Sequence, residues 1–426
     1  MTEAGRPAEH RAVRGALLTG LPDGEVRYVP EGLLVFDAAG RIVHAGQASR
    51  AWSRADLVDG SPGALILPAF WDPHVHLPQL GIAGRHDEPL LEWLERRALP
   101  AESSHRDAAR AASDTGAFFD ALERAGTAGA GVFTSPVDGA ARLALSEARR
   151  RGVPARIGPP LMDRGPRSLA RPASAWVSSL RSLMSAYGAA VAVVPRFGPA
   201  CTERLLAEAG RLARARGASV LGHVSETVEE VAEVRRLFHG REYCEVYDRA
   251  GLLGERTLLA HGIHLEDSEL RVLARRRAWI VHCPTSNERL DSGRMPLERV
   301  RERGVRWCLG SDVGAGPELC LLHVMSVFLR IHDGRARTTA AEALWRATHA
   351  AADALGFGAE GGALVPGRRA DFLVLDRRPP RARHAESAIR ALVERGRPGR
   401  WDAIVGRLYR GGEACRRRGP ARTGRS

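Results

Sequence analysis

Ala64-Leu-Ile-Leu-Pro-Ala-Phe-Trp-Asp-Pro-His-Val-His76 is the stretch that decides how this chain is read. It opens as an apolar run of the length of a buried strand. Asp72-Pro73 reads as the stop of that strand, after which His74 and His76 are presented. Residues two apart on extended backbone point to the same side, so both imidazoles face one way at the strand's C-terminal end. Such a pair suits a borderline-soft cation such as Zn²⁺. Two nearby histidines can equally be a solvated or hydrogen-bonded pair, so the reading depends on what lies downstream.

Seven more strand-like runs follow, at 131–134, 155–158, 190–194, 219–223, 257–261, 278–282 and 306–312, and most are succeeded by an amphipathic helical stretch such as 268–276. Eight strands alternating with helices over roughly 250 residues predict an α/β fold of the TIM type, a (β/α)8 barrel. The competing doubly wound sheet needs a glycine-rich phosphate loop after its first strand, and Asp-Pro-His-Val-His occupies that place. The flanks read differently. Runs at 33–37 and 41–46, and near the other end at 370–376, 403–405 and 407–409, look like strands of one small β-sandwich-like domain. The expected division is therefore 10–65 with 365–412 as a composite β-domain, 66–364 as the barrel, and 413–426 as a disordered basic tail.

With 426 residues and 44% hydrophobic content, the chain is long enough for a barrel plus a second domain. No apolar run reaches the ~18–20 residues of a membrane span. The polar N-terminus lacks a signal-peptide core, so the expected location is cytoplasmic. The six cysteines (Cys201, Cys244, Cys283, Cys308, Cys320, Cys415) form no C-x-x-C pair, which argues against a disulfide framework or a cysteine zinc site. The formal charge of +13 and the arginine-rich tail support a nucleic-acid-binding reading. Against it, the arginines alternate with Glu and Asp on helical stretches such as 203–216 and 229–241, as on ion-paired solvated faces. All 63 basic residues are arginine. Without lysine, a carbamylated lysine cannot bridge two metals, which favours a single-metal site.

His74, His76, His223, His261, His282 and Asp312 all fall at the C-terminal tips of the strand-like runs. In a barrel those tips converge on the rim where catalytic groups sit, and random scatter of 15 histidines would not collect there. His74, His76 and His223 are assigned as ligands, with Asp312 as fourth ligand and acceptor of a proton from bound water. The alternative for Asp312 is a helix N-cap. Zinc would lower that water's pKa to about 7. Glu226, three residues past His223, is placed to carry protons to a substrate and its leaving amine; otherwise it is an ordinary acidic residue near a helix start. His261 would hydrogen-bond the nucleophile or substrate, or face the metal itself. His282 is read as shaping a loop in which Pro284 and Asn287 hold a turn, with direct substrate contact as the alternative.

This ligand order, with Ser311-Asp312 ending the eighth strand and Gly367-Arg-Arg-Ala-Asp371 near the C-terminus, resembles the amidohydrolase superfamily. His74-Val-His-Leu-Pro-Gln79, Glu88-Pro-Leu-Leu-Glu-Trp-Leu94, Pro195-Arg196-Phe197, His223-Val-Ser-Glu226, Ala260-His-Gly262, His282-Cys-Pro-Thr-Ser-Asn287 and Gly310-Ser-Asp-Val313 are more specifically similar to the guanine deaminase family. The resemblance implies hydrolytic deamination of guanine to xanthine and ammonia, one Zn²⁺ per chain and a homodimer. It also implies that Gln79 and Arg196 bind the polar edges of a purine, with Phe197 as its apolar wall. An arginine fork matches the adjacent O6 and N7 acceptors of guanine. Another aminopurine, a pterin or an aminotriazine is the alternative substrate. Val313-Gly-Ala-Gly-Pro-Glu318 departs from the family's usual small-residue run, and Pro317 is the residue expected to reshape the rim there.

Overall fold

The computed structural model describes residues 9–84, 88–375, 382–395 and 406–415. Its strands in chain order are β1 (His10–Gly20), β2 (Val26–Asp37), β3 (Ile42–Gln47), β4 (Asp56–Pro68), β5 (Phe70–His76), β6 (Thr127–Phe133), β7 (Ala155–Gly158), β8 (Pro160–Leu161), β9 (Val194–Pro195), β10 (Val220–Val224), β11 (Thr257–His261), β12 (Trp279–His282), β13 (Arg306–Leu309), β14 (Phe372–Leu375), β15 (Arg407–Arg410) and β16 (Glu413–Ala414).

The stretch from Ala64 to His76 is two strands, not one. β4 ends at Pro68 and β5 begins at Phe70. Leu65–Pro68 pairs antiparallel with β14, and β4 also runs parallel to β1. β5 instead pairs parallel with β6 in the barrel. Both halves are buried, so hydrophobicity alone does not mark the handover at Ala69. Asp72-Pro73 does not stop β5 either. It lies inside the strand, where the β5–β6 register shifts between Asp72 and Val75, and extended backbone resumes through His76.

The barrel is traced by parallel pairings. β5, β6 and β7 form one run, and β10, β11, β12 and β13 another. The fourth stave links them through bridges Ile157 to Val191 and Val193 to Val220, with only Val194–Pro195 as regular strand. Ala190, expected to begin it, instead ends a 3-10 turn over Gly188–Ala190. Closure comes from the Asp312 N–H donating to the His74 carbonyl at 2.9 Å and His76 N–H to that of Val313 at 3.3 Å. Helices such as Ala108–Arg124, Glu203–Arg216 and Asp267–Arg276 bury one apolar face each against this ring. The first two start on a side-chain cap, Asp107 and Thr202.

The N- and C-terminal flanks share one seven-stranded sheet in the order β16-β15-β14-β4-β1-β2-β3, with its own core of Val13, Leu34, Phe36, Ile66, Phe372 and Val374. The expected strand at 403–405 lies outside the described residues. So does most of the expected tail, but Glu413–Ala414 is ordered as a strand against Tyr409 and Arg410, because its backbone groups find partners there. Asp59 clamps this sheet: its carboxylate accepts from Arg407 Nε and Nη2 at 2.8 Å each and from Tyr409 Oη at 2.5 Å. Burial raises its pKa, but the hydrogen bonds from Arg407 and Tyr409 outweigh that and hold it below the ordinary value. A depressed folded-state pKa contributes stability that is complete above the ordinary carboxylate pKa and lost as pH falls through the lower, folded-state value. Asp59→Asn is expected to cost about 0.5–1 kcal/mol in urea unfolding at neutral pH, discounted for partial exposure. The two proteins should converge only below the ordinary aspartate pKa, where the folded-state carboxyl itself takes up its proton.

Candidate active site

The site is built on the C-terminal ends of β5, β10, β11 and the segment after β13. His74 and His76 leave β5 on one side, and His223 arrives from β10. Asp312 sits just past β13 with φ +51, a conformation that turns its carboxylate inward instead of letting it cap a helix. Asp312 Oδ1 is 3.1 Å from His74 Nε2 and 3.3 Å from His76 Nε2. His76 Nε2 is 3.3 Å from both His74 Nε2 and His223 Nε2. The four ligand atoms all lie within 4.8 Å of one another.

These separations test whether the set fits a cation. Tetrahedral ligands at ~2.0–2.2 Å from a shared centre stand about 3.3–3.6 Å apart, close to the 3.1–3.3 Å spacings above. The tautomers agree. His223 Nδ1 is 2.5 Å from the Arg196 carbonyl, so Nδ1 carries the proton and Nε2 offers a lone pair. Burial pushes His74 down to about 4 and His223 well below the ordinary histidine value, keeping both neutral. Burial would raise Asp312, but hydrogen bonds from His74 and His76 hold it well below the carboxylate range. Three neutral imidazoles and one carboxylate are a donor set for a divalent cation.

Asp72 ties the first stave to the last. Its Oδ1 accepts from the N–H of Ser311 at 3.0 Å and of His74 at 3.4 Å. That links the segments carrying His74 and Asp312, a structural duty that the reading of Asp72-Pro73 as a strand stop does not contain.

His261 ends β11 with φ +73. Its Nδ1 is 2.9 Å from Asn287 Oδ1, and its Nε2 is 3.4 Å from Glu226 Oε2 and 4.0 Å from Asp312 Oδ2. Burial opposes its charge, but Glu226 and Asp312 raise its pKa overall. Its Nε2 thus faces two carboxylates and lies outside the four-ligand group. Asn287 is not holding a turn: Pro284–Arg289 is a short helix, and Asn287 orients His261 from it. His282 points away from the site, its Nε2 3.1 Å from His332 Nε2, whose Nδ1 meets Arg294 at 2.9 Å.

Glu226 precedes the helix Val228–Leu237. Thr227-Val-Glu-Glu230 reads as a capping box, yet Glu230 reaches one residue further back. Its Oε2 accepts from the Glu226 N–H at 2.8 Å and its Oε1 from Tyr243 Oη at 2.7 Å. Ser292 Oγ donates to Glu226 Oε1 at 3.2 Å. Burial pushes the Glu226 carboxyl up to about 7, the nearby His261 pulling against it. A carboxyl poised near neutrality can both hold and release a proton.

Gln79, Arg196 and Phe197 line the same cleft as His76, His223, Glu226, His261 and Asp312. Leu90, Trp93 and Leu94 close it on one side. They come from a helical stretch widened into a π-turn over Leu94–Ala98. Pro100 follows, whose missing N–H and ring disfavour a regular α-turn there. This stretch ends at Leu99–Ser103 and brings in Glu102, fully buried, to contact both Gln79 and Arg196. Nothing in the sequence around Glu102 distinguishes it from a surface glutamate. Pro317, at the rim, lies against Gly84.

A donor set of this kind at the C-terminal rim of a (β/α)8 barrel defines a class of metal-dependent hydrolases. The profile of the Amidohydrolase family matches residues 65–401, and the chain belongs to that family. It is 35% identical to the probable guanine deaminase of Deinococcus radiodurans over 388 residues, 85% of this chain and 88% of that one. It is 31% identical to the 5-methylthioadenosine/S-adenosylhomocysteine deaminase of Symbiobacterium thermophilum over 373 residues, 83% of this chain and 82% of that one. The solved guanine deaminase of E. coli superimposes with a TM-score of 0.86 at 26% identity, covering 96% of this chain and 99% of that one.

Proposed function

We propose that this protein is a guanine deaminase, an aminohydrolase that converts guanine to xanthine and ammonia with one zinc ion per chain. The observation that carries the reading is the convergence of His74, His76, His223 and Asp312 within 4.8 Å beside a cleft lined by Gln79, Arg196 and Phe197. The similarity to guanine deaminases supports the substrate, and the His₃Asp donor set supports zinc. When bound, such a cation lowers the pKa of a coordinated water to about 7 and so provides a nucleophile at neutral pH.

The chain's own residues do the rest. Arg196 and Gln79 bind the polar edge of the ring, and Phe197 packs on its apolar surface. Glu226 delivers a proton to the ring nitrogen beside C2, takes up the proton of the hydroxyl added there as the carbonyl forms, and passes it to the departing amine; the proton held on Asp312 then restores Glu226. Asp312 accepts the proton lost by the attacking water. His261, held by Asn287, orients that water. The reading also carries homodimeric assembly and a cytoplasmic setting; among the described residues no helix is long and apolar enough to cross a membrane.

Purified protein should release ammonia from guanine, lose that activity on exhaustive chelation, and regain it on adding one equivalent of zinc. Full turnover in a rigorously metal-free sample would overturn the mechanism. A panel of adenosine derivatives, pterins and aminotriazines run beside guanine decides the substrate. The 31% identity to a deaminase of adenosine derivatives makes that panel necessary.

A further inference from the structure

Both residues read as purine ligands are held by one carboxylate. Glu102 Oε1 accepts from Gln79 Nε2 at 2.9 Å, and Glu102 Oε2 from Arg196 Nη1 at 2.5 Å. Glu102 is fully buried, Gln79 and Arg196 nearly so. The Ser135 hydroxyl donates to the Glu102 backbone carbonyl at 2.7 Å, fixing the residue from behind.

A carboxylate can only accept hydrogen bonds. It therefore decides which end of the Gln79 amide it meets: the NH₂ group must face Glu102, and Oε1 must face elsewhere. That oxygen lies against Gly314, where an added Cβ would come within 2.3 Å of it. Gly314, at φ +122, thus leaves room for an amide whose orientation Glu102 has set. Arg196 is tied through one nitrogen of its planar fork, so the remaining donors keep a fixed direction.

From this we infer that Glu102 is a positioning and specificity residue, which makes the cleft present a donor fork beside an acceptor oxygen. That pattern is the complement of a cyclic lactam, a ring carbonyl next to a ring N–H. An amino group in place of the carbonyl inverts both partners, setting donor against donor and acceptor against acceptor. The inference rests on the guanine deaminase reading. Discrimination between oxo- and amino-substituted rings then originates in a residue that touches neither.

The test compares kcat/KM for guanine and for 2,6-diaminopurine, which differ only in the lactam, in wild type and Glu102→Gln. A neutral amide at 102 can donate to Gln79 and let its amide invert. The expected result is a loss for guanine on the order of 10²-fold, mainly through KM, with 2,6-diaminopurine changed by less than about 3-fold. Zinc content should stay at one equivalent. An equal loss on both substrates would mean a structural role and overturn the inference, as would no loss on guanine. Should Glu102→Gln not fold, Glu102→Asp takes its place. The shorter carboxylate cannot reach both partners, and the guanine preference should fall at least about 10-fold; an unchanged preference overturns the inference. Wild type inactive on guanine would instead sink the functional reading itself, so the two failures are distinguishable.

Discussion

His223→Ala is expected to strip the chain of its cation and of measurable turnover together. His223 is the one ligand of the four that comes from β10: His74 and His76 come from β5, and Asp312 follows β13. Its Nδ1 is committed to the Arg196 carbonyl, so loss of the ring also frees the backbone of a proposed substrate ligand. Outer partners of metal ligands commonly contribute 10–100-fold in metal affinity or activity. Removing a ligand outright should therefore weaken zinc binding by more than about 100-fold. Metal analysis after gel filtration checks it. Retention of one tightly bound equivalent by the variant would exclude His223 from the ligand set.

Glu226→Gln separates chemistry from metal binding. The side chain is isosteric and uncharged, and the Ser292 contact to Oε1 can persist. One equivalent of zinc should remain, KM for guanine should change little, and kcat should fall by roughly 10²–10⁴-fold, the usual range for a general acid–base group. A rise in KM with kcat little changed would show that Glu226 binds substrate rather than moving protons. The buried Glu230–Tyr243 pair behind it predicts a rigid position for Glu226, so the loss should not be rescued by raising substrate concentration.

Much of this arrangement could be read from residue order, because a barrel converts position along each strand into position on a rim. A histidine at the tip of β5, β10 or β11 lands on that rim whatever lies in the helices between. The same rule leaves the direction of His282 undecided. Tip position is legible, but which side of the strand faces inward is set by register, and His282 faces His332 in the helical layer. The handover between β4 and β5 was hidden for a related reason. Strands buried in two different sheets are both uniformly apolar, so no change of pattern marks Ala69. Glu102, and the contact of Asn287 with His261, lay beyond sequence reasoning. Their importance comes from partners 23 to 94 residues away in Gln79 and Arg196, and 26 away in His261, and pairings over such distances leave no local periodicity.

Anomalous diffraction at the zinc absorption edge, on crystals of protein loaded with one equivalent of zinc, tests the central claim most directly. One strong peak per chain is expected within bonding distance, about 2.0–2.2 Å, of His74, His76 and His223 Nε2 and an Asp312 oxygen. A peak elsewhere, or one bonded to fewer than three of those four side chains, would contradict it.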